Sequence, residues 1–593
     1  MANEQITWDL TDFYAGPEDP HIQGDIEDLV GRAQNFKENI RGRIKTDRFT
    51  IEELLKWYKE YEGISEGIFY LETYSQLLYS INVLDDNVKA LVAKIDDYKV
   101  KIQENLLFFN LELNEISEEK FTELIGSPEL KQYRHALLIN RMRKPHQLTE
   151  KEEQIILMKD ITGTRGFLKL YNELKSSFTF DFEIEGKTKQ LTEAEVFAYM
   201  YKKDKDLRSR ALKTIVSKYN ENDLIFTHIF NNIVKNWDME TKKKNYKKPI
   251  SRRNLMNEIS DEIVEIAGKV TTESYYIVEK YYTLKKKILG LSKLRMSDLY
   301  APVGQISKEY TYEEALHLIG GIDRDFHPEF KKIVEQMDQI RHIDATPRKG
   351  KNRGAFCAFG KLKHYPFVFV NFVNNIDSVR TLAHELGHAI QAYYIQKEQN
   401  FINMDISLAI AEIASVFNEM LVIEYLLSSD LSEDEKKSLL CVFIEKNIAT
   451  SFRQNAFYNF ETRIHDLIEK KLPTTKEIKN LYVQEMQSMF GDSITNIEKD
   501  YASYCFVIPH FLHDPFYVYA YNMSNLLVIS LYQTYLDEKE KFVPKFLKLL
   551  SAGCSQTPQE MLSGISIDLK DASFWQKGIQ YLKDKVEELE NML

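Results

Sequence analysis

The chain has 593 residues, 44% of them hydrophobic and 28% charged, with a formal net charge of −12. That length exceeds what one hydrophobic core organises, so two or more lobes are expected, and the acidic balance disfavours a nucleic-acid partner. No apolar run approaches the roughly eighteen residues a membrane span needs.

In chain order, the opening Met1–Leu10 lacks the basic start and apolar stretch of a signal peptide, so the expected address is cytoplasmic. Apolar residues recur every three or four positions over 51–61, 87–113, 194–219, 261–289 and 406–427, which predicts a mainly α protein. The period-two stretch 179–188, with Glu185-Gly186-Lys187, predicts a hairpin. It divides an N-terminal helical lobe, 1–195, from a second domain, 196–593. Lysine clusters at 242–244 and 285–287 read as solvated helix faces. Four widely spaced cysteines form no Cys-x-x-Cys pair and read as free thiols; Cys357 is either redox-sensitive or a packing residue.

A polar, glycine-punctuated run from Pro347 to Gly354 leads into aromatic and β-branched residues at 355–359 and 365–371. They predict a small sheet over about 344–371, whose edge can pair with an extended peptide.

Next comes the pentad His384-Glu385-Leu386-Gly387-His388, flanked by the apolar stripe Val379, Leu382, Ala383, Leu386 and Ile390. On a helix, His384 and His388 share one face and can aim at a Zn²⁺ at about 2.0–2.1 Å. Glu385 can reach the water that such an ion activates, as general base. The alternative is a satisfied histidine pair on a buried helix.

A catalytic zinc needs a third protein ligand. Within a helix expected over 405–427, Glu412 is a lone carboxylate among apolar and small neighbours. Either it ligates the cation, which removes the cost of burying it, or it lies on a polar helix face. Glu419, seven residues on, shares that face and either accepts the free ring N–H of a ligand histidine or points to solvent.

Residues 510–521 hold two histidines and three tyrosines. Pro515 suits a first helical turn, placing Tyr517 and Tyr521 on one face and Tyr519 on another. A tyrosine-rich core helix is the plain alternative.

The run 348–371, the pentad, and Glu412-Ile413-Ala414-Ser415 with Phe417 and Glu419 resemble the thimet-oligopeptidase clan of M3 zinc peptidases, most closely its oligoendopeptidase F branch. Trp8-Asp9-Leu10 with Tyr14, the stretch from His146-Gln147-Leu148-Thr149 to Tyr171-Asn172-Glu173-Leu174, Arg453-Gln454 through Phe460-Glu461, and Gly553–Leu569 with Phe574-Trp575 extend the likeness over nearly the whole chain. One departure is Gln391, where many members carry a histidine that is not a metal ligand.

The resemblance implies a two-lobed, zincin-type helical body around a deep channel, one Zn²⁺ per chain, and cleavage of internal bonds in short unstructured peptides. It implies that His510, Tyr517 and Tyr521 donate to the carbonyl oxygen as it gains charge. With it, the edge Gly354-Ala355-Phe356 is expected to hold the substrate main chain, and His513 and Tyr519 to line the cleft. Dipeptidyl carboxypeptidase or carboxypeptidase action on a similar scaffold is the alternative enzyme, and a non-catalytic peptide binder the alternative of another class. Oligomeric state stays open.

Overall fold

A computed structural model describes residues 5–304 and 306–593, and most of them are helical. No helix among the described residues is long and apolar enough to cross a membrane. The chain divides into two compact units, neither a single stretch of sequence. The first comprises Met1–Lys144, Ser307–Tyr425 and Tyr535–Ile567; the second comprises Pro145–Ile306, Leu426–Thr534 and Asp568–Leu593. The first change of unit therefore falls at 144/145, not at the expected 195/196. The hairpin, Phe180–Ile184 with Lys187–Leu191, is not a linker because Phe180 and Phe182 are buried. Phe182 packs on Tyr199 at 5.0 Å, inside the second unit's core.

In the first unit, local signals set the helix starts. Asp19 caps Pro20–Ile40, with Pro20 in the first turn, and Thr50 with Glu53 forms a capping box on Ile51–Ile81. Asp85 caps Asp86–Glu115. Their apolar faces meet in an aromatic core, where Phe36 lies 5.7 Å from Phe108 and 5.4 Å from Phe109, and Tyr58 stacks on Tyr133 at 4.6 Å. Trp8 extends this core to Phe367 and Phe369, at 6.0 and 5.5 Å.

Those two phenylalanines belong to the central strand of a three-stranded sheet. Phe367–Phe369 pairs in parallel with Ile343–Asp344 and antiparallel with Phe356–Ala358, which is thus an edge strand. The strands are shorter than the expected runs 355–359 and 365–371. Helix Ile376–Glu398 follows, capped by Asn375 onto the N–H of Ser378.

In the second unit, two expected helices are each broken. The stretch 194–219 is Glu193–Ala198 and Lys205–Glu221, with Asp204 capping the latter. The stretch 261–289 is Asp261–Glu273 and Tyr276–Ile288. Lys285 corrects the reading of its cluster as a solvated face: it is fully buried, donating to Leu299 O at 2.7 Å and pairing with Glu445. A buried ammonium persists only when so partnered.

Candidate metal centre and active site

The pentad lies within helix Ile376–Glu398, as its periodicity requires. Gly387 explains why this turn comes so close to the next segment: a Cβ there would sit 2.5 Å from Ala414 O and 2.7 Å from Ser415 Cα. Only a glycine permits that approach. The neighbouring helix begins at Ile413 and not at 405, because 407–412 form successive turns. Glu412 stands just before it and its carbonyl accepts the first helical bond, from Val416 N–H at 3.1 Å. Asn418 ties the two segments together, donating to Ala383 O at 2.9 Å.

The result brings the three expected ligands together. His384 Nε2 is 3.4 Å and His388 Nε2 3.5 Å from Glu412 Oε2. Together they form a group whose ligand atoms all lie within 4.8 Å of one another. The imidazoles stand nearly perpendicular, 4.9 Å apart. Two imidazoles and one carboxylate are a donor set suited to zinc with an open position, so the residues present fit the ion. Burial lowers His388 to about 4, which keeps its nitrogen lone pair free, although Glu412 works the other way. His384 shifts upward: burial opposes the charge, but Glu419 and Glu412 outweigh it.

Around the ligands sits a layer of supports. Glu419 is 4% exposed and lies 3.5 Å from His384 Nδ1 through Oε2. Its Oε1 accepts from Arg380 at 2.9 Å. Ser415 Oγ donates to Glu412 Oε2 at 2.6 Å. The sequence does not single out Arg380 or Asn418, and it names Ser415 only as part of the run that carries the resemblance. Arg380 stands four residues before His384, so helical spacing alone would have placed it beside that ligand.

Glu385 is 6% exposed, and burial raises its carboxyl to about 7. It lines a pocket of about 350 Å³ with the three ligands, Ala355, Phe356 and Cys357. Burial also pushes the Cys357 thiol upward, with Glu385 adding to the effect. Of the expected substrate edge, only Phe356 is in the strand. Ala355 precedes it and lines the pocket, whereas Gly354, at φ +86°, uses its carbonyl to accept from Asn371.

The remaining predicted residues lie in the second unit. The helix expected to open at Pro515 begins later: His510–His513 is a single helical turn, Pro515 lies in an irregular link, and the long helix starts at Tyr519. The fold nevertheless clusters His510, Tyr517 and Tyr521. Tyr521 Oη is 3.4 Å from His510 Nε2, and the Tyr517 and Tyr521 rings are 5.2 Å apart. Burial holds His510 below the usual histidine range. Arg253 donates to Pro515 O at 3.1 Å, and Glu461 accepts the N–H of Phe516 at 2.9 Å, so the link is fixed from two sides. Tyr519 takes the packing alternative, because it is buried and its hydroxyl accepts from Asn257 at 2.8 Å. His513 is bonded to Asn172 Oδ1 at 3.1 Å through Nε2.

Residues 198–581 match the family model described as Peptidase family M3, and residues 112–180 match Oligopeptidase F. The oligopeptidase PepF of Bacillus subtilis is 26% identical over 99% of this chain and 87% of its own length. An oligoendopeptidase F homolog of Borreliella burgdorferi is 27% identical over 100% and 98%. Among solved structures, one from Chlamydophila abortus is similar at a TM-score of 0.90, with 24% identity over 99% of this chain and 98% of that one. Oligoendopeptidase-F from Enterococcus faecium gives 0.71, with 20% identity over 96% and 98%.

Proposed function

The chain belongs to peptidase family M3, which makes it a peptidase, and from that premise we propose that it is a zinc endopeptidase cutting internal bonds of short unstructured peptides. The observation that carries this reading is the convergence of His384 Nε2, His388 Nε2 and Glu412 Oε2 beside the buried carboxyl of Glu385.

His384, His388 and Glu412 hold the cation, with His384 steadied through Glu419 and Arg380. When bound, the ion supplies Lewis-acid polarisation to a water and to the scissile carbonyl. Glu385 takes the proton of the attacking water and delivers it to the leaving nitrogen. Its raised affinity for a proton suits a group that must both accept and return one near neutral pH. The outer edge of Phe356–Ala358 offers backbone groups to an extended substrate.

His510, Tyr517 and Tyr521 are assigned to the developing oxyanion by family resemblance. Their mutual clustering within the second unit supports treating them as one group. One preorganised donor of this kind contributes about 2.7–4 kcal/mol to a transition state.

The test is a cleavage map over a peptide-length series with both ends blocked, run with and without a chelator. Internal cuts that vanish with the chelator and return with zinc are expected. Cuts confined to free C-termini would make the enzyme a carboxypeptidase, and an absence of cleavage would reduce it to a binder.

A further inference from the structure

The pocket that holds the metal ligands does not stop at them. Along helix Ile376–Glu398 its lining extends past His388 to Gln391 and Ala392, and it includes the apolar side chains of Phe356, Phe359 and Ile406. Gln391 lies three residues after His388, hence on the same helical face, one turn on. It is 3% exposed, and its Oε1 is sealed from solvent with no hydrogen-bond partner among the described residues. Gln396, the other buried glutamine of this helix, has an equally unpaired Oε1 but lies outside the pocket lining and is anchored through its Nε2 to the carbonyls of Lys361 and His364. An amide oxygen left unpaired in a buried side chain that lines a cavity marks a group awaiting a partner.

We propose that Gln391 is a specificity-determining residue, hydrogen-bonding a carboxamide side chain, asparagine or glutamine, of the substrate residue seated in this pocket. The inference rests on the peptidase reading above. The terminal torsion of a glutamine is broad and roughly two-fold, so either end of its amide can turn toward the cavity. A substrate carboxamide answers either orientation, because it carries both donors and an acceptor. The apolar side chains take the methylene stem. A substrate with leucine at that place fills the same volume yet leaves Gln391 unpaired, and sites built around a hydrogen bond reject such analogues strongly.

The experiment compares kcat/KM for matched blocked peptides carrying Asn or its near-isostere Leu at each position flanking the cut, with products identified by mass. Wild-type enzyme should favour Asn at one position by about tenfold or more, the worth of one well-made hydrogen bond. Gln391→Leu should bring that ratio close to one while the other positions keep theirs. Gln391→Met serves the same purpose should the first variant fail to fold. Equal turnover of every Asn/Leu pair by wild type, or a preference that survives both substitutions, overturns the proposal. Failure of wild-type enzyme to cleave any member of the set, or cleavage that ignores a chelator, overturns the zinc-endopeptidase reading itself and this proposal with it.

Discussion

Glu419 holds His384 from behind: one carboxylate oxygen lies 3.5 Å from His384 Nδ1 while the other accepts from Arg380 at 2.9 Å. A carboxylate in that place fixes the tautomer that leaves Nε2 free for a metal and raises the basicity of the ring. Glu419→Gln should therefore weaken metal binding by about 10- to 100-fold with the fold intact. Competition titration against a chromophoric chelator measures it. Unaltered affinity would mean that Glu419 serves only Arg380.

Glu385→Gln should separate chemistry from binding. The substitution keeps size and hydrogen-bonding capacity but removes the proton acceptor, so metal content should stay at wild-type level. General base catalysis alone contributes about 10²–10⁴-fold, and kcat should fall by at least that much with KM little changed. Near-normal turnover would reassign the base.

Gly387→Ala tests whether the pentad helix and the Glu412 segment truly depend on close backbone approach. The added methyl would lie 2.5 Å from a carbonyl oxygen and 2.7 Å from a Cα, neither of which can step aside as a flexible side chain would. Overpacking of this sort costs about 1–3 kcal/mol. Because the displaced backbone leads directly from Glu412, metal affinity should drop along with stability in a denaturant titration. A variant with both intact would show that the segments can part without consequence.

The pentad and Glu412 were legible in the sequence for different reasons. The histidines needed only helical geometry, since i and i+4 share a face whatever surrounds them. Glu412 stood out as a carboxylate among Ile410, Ala411, Ile413 and Ala414. Its element did not: the apolar spacing of Ile406–Ala411 continues smoothly through residues that form turns, so the helix start at Ile413 left no mark. The breaks at 199–204 and 274–275 were hidden in the same way, because apolar periodicity carries across a short interruption. Unit membership was beyond reach. It depends on distant returns of the chain, such as Trp8 closing on Phe367 and Phe369. The helix expected to open at Pro515 starts only at Tyr519, yet Tyr517 and Tyr521 still meet, with Arg253 and Glu461 fixing the link at Pro515 and Phe516 that leads to them.

Asp323 supplies a pH test unconnected with the metal site. It is fully buried with neither carboxylate oxygen partnered among the described residues, and burial raises it from 3.8 to about 8. A carboxyl raised in the folded state is bound to a proton there while the unfolded chain has already released one. Its contribution is complete below about pH 4 and is lost as pH climbs through about 8. Asp323→Asn cannot ionise, so its melting temperature should gain on wild type between pH 5 and pH 8.5, by about 1–2 °C for each kcal/mol lost. A constant difference across that range would show that Asp323 finds a partner for its charge.

The most direct measurement is the metal stoichiometry of the native protein by mass spectrometry, read beside cleavage of an end-blocked peptide. One zinc per chain is predicted for wild type and for Glu385→Gln, with cleavage only in the former. Both zinc and cleavage should be lost in His384→Ala, His388→Ala and Glu412→Ala. Retention of a full equivalent of zinc in those three variants, or peptide cleavage by protein stripped of metal, would contradict a catalytic ion held between two imidazoles and one carboxylate.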